Sequence, residues 1–116
     1  MVINVSAFDY SYDTSIVFEQ NDFVNLDCVI ASILHPILVA YRSNIKNPPH
    51  YLTGGIPSEL TEEEYISILD KMIFSFDAVR KMGVSATDYQ IVTEAHSEKI
   101  QAGLMLFGKY LRHFWD

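Results

Sequence analysis

The sequence is poor in cysteine and in positive charge. Its single cysteine, Cys28, excludes an intramolecular disulfide and a cysteine-based zinc site. Lysines and arginines number 8 against 15 acids, so the formal net charge is −7, and the first basic residue along the chain is Arg42. Because such a chain has no basic stripe to displace the counterions of nucleic acid phosphates, we predict no direct binding to DNA or RNA.

Long apolar runs are also missing. The longest, Val29 to Tyr41, is interrupted by Ser32, His35 and Pro36, whereas a bilayer span takes about 20 predominantly apolar residues. No basic residue precedes an apolar block at the N-terminus, so the pattern of a secretory signal is absent. These absences predict a protein that does not engage membranes and works in the cytoplasm.

The residues that are present fit one globular domain over positions 1–116. Hydrophobic residues make up 49% of the chain and aromatic residues 13%, which is enough for a core of its own. We predict a mainly α fold, a compact three-helix bundle with an extended N-terminal arm over residues 1–24. A short hairpin within that arm is the alternative, since residues 15–19 have the composition of a strand.

The first helix is predicted over residues 25–44, with Asn25 as its N-cap and Asp27 in the first turn. Pro36 is expected to kink this helix without ending it, because the apolar pattern continues beyond the proline. One stripe at helical spacing is predicted to be buried, namely Leu26, Ile30, Ile33, Ile37 and Tyr41. The opposite face carries Cys28, His35 and Arg42.

The second helix is predicted over about 61–82, after a loop that contains two proline and glycine clusters between residues 45 and 60. Thr61 and Glu64 have the spacing of a capping box, and Gly83 is a suitable C-cap. The predicted core stripe of this helix is Tyr65, Leu69, Met72, Phe76 and Val79.

The third helix is predicted from about 87 to 115. Gly103 and Gly108 would allow a neighbouring helix to approach closely. The predicted core stripe of this helix is Ile100, Leu104, Phe107, Leu111 and Phe114.

Phe74 lies in the middle of the polar stripe of the second helix. Two interpretations remain open at this stage. Another segment covers the ring, with the N-terminal arm or the 45–60 loop as the favoured cover, or the ring is an exposed aromatic that anchors an interface.

The residues that could act in catalysis or bind a metal do not form a known motif. Glu94 and His96 are two residues apart and cannot share a helix face, and no HExxH or calcium-loop pattern occurs. Cys28 and His35 are two helical turns apart, roughly 10 Å, which is too far for direct proton transfer. We therefore predict no metal, no cofactor and no enzymatic activity, and we interpret His96 as a partly buried core residue.

Several segments of the chain form a recognisable set, namely Asn25-Leu26-Asp27, Gly54-Gly55-Ile56-Pro57, residues 65–76, residues 100–110 and Phe114-Trp115-Asp116. Together they resemble a group of small proteins encoded by tailed bacteriophages and prophages. The most specific parts are Leu69-Asp70-Lys71-Met72-Ile73 and Gly103-Leu104-Met105-Leu106-Phe107. The chain departs from that group at Tyr65, Phe74, Ala102 and residues 38–40. The resemblance implies a phage origin and a bacterial host cytoplasm, and it supplies no catalytic residue.

The favoured prediction of function is an accessory protein that acts by protein–protein interaction and modulates a host process or defence system. Its partner would be a host or phage protein or a second copy of the chain. The candidate contact residues are Phe74, the loop residues His50, Tyr51 and Leu52, and the acidic edge formed by Glu59, Glu62, Glu63 and Glu64. These acids would either imitate nucleic acid towards a basic partner or serve solubility alone.

The alternative is a small-ligand or nucleotide-sequestering protein. A pocket for an anionic ligand needs cationic side chains, and the sequence offers four plausible ones, which are Arg42, Lys46, Lys71 and Arg80.

Overall fold

The computed structural model describes residues 2–5, 14–17, 19–47, 56–82 and 94–114. Three long helices dominate these residues, which confirms the predicted mainly α bundle. The helices are α1 (Leu26–Lys46), α2 (Glu62–Met82) and α3 (Glu94–Tyr110). Short 3₁₀ helices precede α1 at Gln20–Phe23 and follow α3 at Leu111–His113.

The N-terminal arm contains two short paired strands, β1 (Val2–Val5) and β2 (Thr14–Val17). They run antiparallel, with Val2 opposite Val17 and Val5 opposite Thr14. The hairpin alternative for residues 1–24 is therefore the one observed.

Helix α1 continues through Pro36 and ends two residues beyond the predicted boundary, at Lys46. The Asn47 backbone N–H, which donates to the Ser43 carbonyl oxygen at 2.9 Å, closes its last turn. The proline therefore leaves the helix unbroken, as the sequence predicted.

The face of α1 that was predicted to be buried is the wrong one. Leu26, Ile30 and Ile37 are 39%, 45% and 54% exposed, whereas Ala31, Leu38 and Ile45 are buried. Of the predicted stripe, Ile33 is partly buried and Tyr41 packs against the core. The buried residues follow a parallel stripe of α1, and that stripe is the one that meets α2.

Helix α2 is the central element, because it packs against α1 on one side and α3 on the other. Its predicted capping box is present. The Thr61 backbone N–H donates to Glu64 Oε1, and the Glu64 backbone N–H donates to Thr61 Oγ1, both at 3.1 Å. The predicted core stripe is confirmed, with Tyr65, Leu69, Met72 and Phe76 buried and Val79 partly buried against the same core.

Helices α2 and α3 approach most closely at Gly103. A Cβ atom on this glycine would overlap Ser75 Oγ and the Lys71 carbonyl oxygen. Ser75, which is fully buried, donates through its Oγ to the Ile100 carbonyl oxygen at 2.7 Å. The predicted close approach is thus confirmed at Gly103. It is wrong at Gly108, which is exposed and has no neighbour within reach of an added Cβ.

The C-terminal part of α3 differs from the prediction in two respects. The α-helix ends at Tyr110 and not near Trp115, and the chain continues as a 3₁₀ turn. Leu111, predicted to lie in the core, is 51% exposed, whereas Phe114, three residues later in the same predicted stripe, packs against the core. The predicted start of this helix near residue 87 lies outside the described residues.

An aromatic cluster connects the three helices. The Tyr41 and Tyr65 hydroxyl oxygens are 3.2 Å apart, and the Tyr41 ring also contacts that of Phe114, with 5.0 Å between centroids. Burial and the hydrogen bond to Tyr41 raise the pKa of the Tyr65 phenol well above its ordinary value.

Asp77 lies close to three basic side chains near the C-terminal end of α2. Lys81 Nζ lies 2.8 Å from its carboxylate, Arg80 pairs with it, and His35 Nε2 of α1 lies 3.7 Å away. The hydrogen bond from Lys81 and then that from Arg80 hold the pKa of Asp77 below its ordinary value, against the opposing effect of burial.

This pKa shift predicts a small acid dependence of stability. A carboxyl whose pKa is lower in the folded state than in the unfolded chain stabilises the fold above its unfolded pKa of about 4. That contribution is lost as the pH falls through the folded pKa. Urea midpoints between pH 2 and pH 7 should therefore fall less steeply on the acid side for Asp77→Asn than for the unaltered protein. Equal slopes would contradict this assignment.

Candidate functional site

A groove of about 580 Å³ lies between α2 and α3. Its floor is apolar and its edges are basic. The lining residues are Phe74, Ala102, Met105 and Leu106 together with Lys71, Lys99 and Lys109. We refer to these seven residues as the lysine groove.

Helical spacing brings the lining residues together. Lys71 and Phe74 are one turn apart on α2, and Lys99, Ala102, Leu106 and Lys109 follow one side of α3 at intervals of three and four. The close approach at Gly103 places these two rows side by side. The groove is therefore a direct consequence of how α2 and α3 cross.

Phe74 is at the centre of this arrangement and is partly buried. The His96 ring meets it edge-on with 5.6 Å between centroids, and Lys99 Nζ lies 4.0 Å from the centre of the Phe74 ring. Among the residues that the structure describes, the neighbours of Phe74 come from α3. Most of the arm and of the 45–60 loop, the favoured covers, lies outside the described residues.

The groove concentrates positive charge in an acidic protein. Three of the chain's 8 basic residues line it, and no acid is among the described residues that do so. Lys99 and Lys109 are ten residues apart on one helix, or roughly 15 Å at 1.5 Å per residue. The cations are therefore spread along the groove and do not converge on one point.

The acidic edge lies at a distance from Phe74. Glu59, Glu62, Glu63 and Glu64 are exposed around the start of α2, and Glu64 is engaged in the capping box. Ten residues separate Glu64 from Phe74, roughly 15 Å along the helix. Phe74 and the acidic edge, which were both predicted to contact a partner, are therefore not part of one site. The other predicted contact residues, His50, Tyr51 and Leu52, lie outside the described residues.

The four cations predicted for a ligand pocket also separate. Arg42 forms two hydrogen bonds with the Asp70 carboxylate across α1 and α2, and Arg80 pairs with Asp77. Lys46 is exposed at the end of α1, and of the four only Lys71 lines the groove. Lys99 and Lys109 were missed, although their spacing with Ala102 and Leu106 marks one face of α3.

Two further features of the described residues bear on metal binding and on membranes. No group of three or more histidine, cysteine or carboxylate side chains is arranged to hold a metal ion. Helix α1 is long and apolar enough to cross a membrane by length and composition alone, which the sequence interpretation did not anticipate. In the fold 17% of its most apolar 18-residue window is buried, and the buried side packs against α2.

The fold and the groove together define a small three-helix bundle with a lysine-flanked apolar groove. No family model, curated protein or solved structure matches the chain.

Proposed function

We propose that the protein is an accessory protein that acts by protein–protein interaction, and that the lysine groove docks an acidic amphipathic helix of its partner. The observation that carries this proposal is an apolar floor with Phe74 at its centre, flanked by three lysines and lined by no described acid. Amphipathic helices bind such grooves through apolar residues at intervals of three and four. Acids beside that stripe would meet the lysines.

The spacing of the cations favours a helix over a ligand with a single anionic head group. A fatty carboxylate neutralises one cation, whereas Lys99 and Lys109 are separated by roughly 15 Å along α3. A partner helix with acids two or three turns apart reaches both. The volume of the groove is also within the range of small-molecule sites, roughly 300–1,000 Å³. An amphipathic anion with a single head group is therefore the second candidate ligand, and the experiment includes one.

The two parts of the groove have different roles in this proposal. Burial of apolar area on Phe74, Met105 and Leu106 provides the larger share of affinity, at roughly 25 cal/mol per Å². Exposed ion pairs contribute about 0.2–1 kcal/mol each, and they select acidic partners and speed association. The proposal places the protein in a bacterial host cytoplasm as a phage product that modulates a host process, without direct contact to nucleic acid or membrane.

Fluorescence anisotropy with a labelled 20-residue probe peptide tests the proposal. The probe is a helix with leucine at positions of helical spacing and glutamate on both flanks, and its matched control has lysine in place of glutamate. We expect the glutamate probe to bind and the lysine probe to bind at least tenfold more weakly. The double substitution Lys99→Glu with Lys109→Glu should lower the affinity for the glutamate probe about tenfold, because two attractive charge pairs become repulsive.

A control variant separates groove contacts from net charge. Lys46→Glu with Arg112→Glu changes the charge by the same amount at exposed residues outside the groove, and it should leave binding within about twofold. Equal weakening by both variants would reduce the effect to overall charge and overturn the groove as the site. Binding of sodium decanoate in place of the peptide, lost in the groove variant, would support the second candidate instead.

A further inference from the structure

The same chain exposes a surface with the chemistry that the groove is proposed to take. Phe23, Leu26, Ile30 and Ile37 are between 39% and 60% exposed and follow one side of α1 and of the 3₁₀ turn before it. We refer to these four residues as the α1 stripe. Large apolar residues at helical spacing on an open face are the ordinary signature of a helix that docks elsewhere.

The α1 stripe begins in a part of the chain that has acids and no lysine or arginine. Before Arg42 the sequence contains five acids, and Glu19 and Asp27, both exposed, lie at the N-terminal end of the stripe. The lysine groove, by contrast, has three cations around an apolar floor. The apolar stripe therefore matches the apolar lining of the groove, and the acids at its N-terminal end are complementary in charge to the lysines.

The two surfaces also match in length. Leu26 and Ile37 are eleven residues apart on α1, roughly 16 Å, and Lys99 and Lys109 are roughly 15 Å apart on α3. A helix laid along the groove would present its apolar residues to Phe74 and Met105 over nearly the whole distance between the outer lysines.

We infer that the lysine groove of one copy binds the α1 stripe of a second copy. The inference rests on the proposed function, because it names the helix that the groove takes when no other partner is present. The contact joins two different surfaces, so a pair of copies still has one unoccupied groove, on one copy, and one unoccupied stripe, on the other. Such a contact continues into a ring or a chain of copies, with an order that rises with concentration.

Sedimentation velocity over a range of concentrations tests the inference with two variants. The groove variant is Lys99→Glu with Lys109→Glu. The stripe variant is Ile30→Gln with Ile37→Gln, two exposed positions of α1 at which glutamine keeps the helix. The unaltered protein should associate as concentration rises, each variant alone should remain monomeric, and circular dichroism should show both to be folded.

The decisive sample is an equimolar mixture of the two variants. It holds one intact groove and one intact stripe, so it should form a 1:1 heterodimer and nothing larger. Association of the unaltered protein should weaken at 0.5 M sodium chloride, where the screening length is short.

Three results would overturn the inference, and they separate it from the proposed function. An unaltered protein that stays monomeric while binding the glutamate probe peptide removes self-association and leaves the proposed function standing. Association that persists in the groove variant but is lost in the stripe variant indicates contact between two α1 helices. A monomer that also fails to bind the probe contradicts both proposals.

Discussion

Leu38→Ala is expected to lower the free energy of unfolding by about 2–5 kcal/mol, the range for leucine truncation in a packed core. Leu38 is only 2% exposed and belongs to the cluster that joins α1 to α2. Its removal leaves a cavity that the surrounding helices fill in part. Urea denaturation followed by circular dichroism measures the change.

The neighbouring residue supplies the matched control. Ile37→Ala removes a similar apolar side chain from the same helix, but Ile37 is 54% exposed, so the expected loss is below about 1 kcal/mol. The measurement belongs at low protein concentration, where self-association through the α1 stripe contributes little. Equal losses for the two variants, or a larger loss at Ile37, would mean that α1 is rotated from the orientation described here.

Gly103→Ala is expected to destabilise the protein by about 1–3 kcal/mol, as overpacking of a core does. The added Cβ would overlap the fully buried Ser75 hydroxyl and the backbone carbonyl of Lys71. A flexible side chain could move away, but the carbonyl belongs to helix α2 and cannot. Helices α2 and α3 must therefore separate, and the lysine groove between them must change its width.

Gly108→Ala is the matched control, because it makes the same change of glycine to alanine in the same helix. Nothing lies within 4 Å of a Cβ at Gly108, so alanine should stabilise the helix by about 0.5–1 kcal/mol. Thermal unfolding of both variants gives the comparison, and the glutamate probe reports the groove. Probe affinity should fall for Gly103→Ala and stay unchanged for Gly108→Ala. Stabilisation by both substitutions would rule out the close crossing.

The helices themselves were predictable from local patterns. Thr61 and Glu64 identified the start of α2 because a capping box is a short-range arrangement of four residues. The core face of α2 was equally clear, since Tyr65, Leu69 and Met72 alternate with charged residues. A helix whose polar and apolar faces differ this strongly has one orientation against its neighbours.

The orientation of α1 could not be predicted in the same way. Its apolar residues form two neighbouring stripes, one with Ile30 and Ile37 and one with Ala31 and Leu38. The helical periodicity favoured burial of the stripe with the bulky isoleucines. In the fold the buried stripe is the one that contains the small Ala31. A small residue lets two helices approach closely, and that advantage exists only once the partner helix is in place.

The candidate site was only partly visible in the sequence. Phe74 was recognisable as an aromatic on a polar stripe, so one helix alone marked it as a candidate contact residue. Lys71 was named as a possible pocket residue, whereas Lys99 and Lys109 were not named. Their place in one groove depends on α3 lying beside α2, because lysines on two separate helices line a common surface only where those helices meet.

The sequence by itself determined the helical class, the continuation of α1 through Pro36, the capping box at the start of α2, the core face of α2 and the segregation of charge. Tertiary structure alone decided which stripe of α1 is buried and which lysines share a groove with Phe74. The physical reason is that the spacing of residues along a helix specifies which side chains share a face. Which of two apolar faces is buried depends on contacts with a helix far away in the chain.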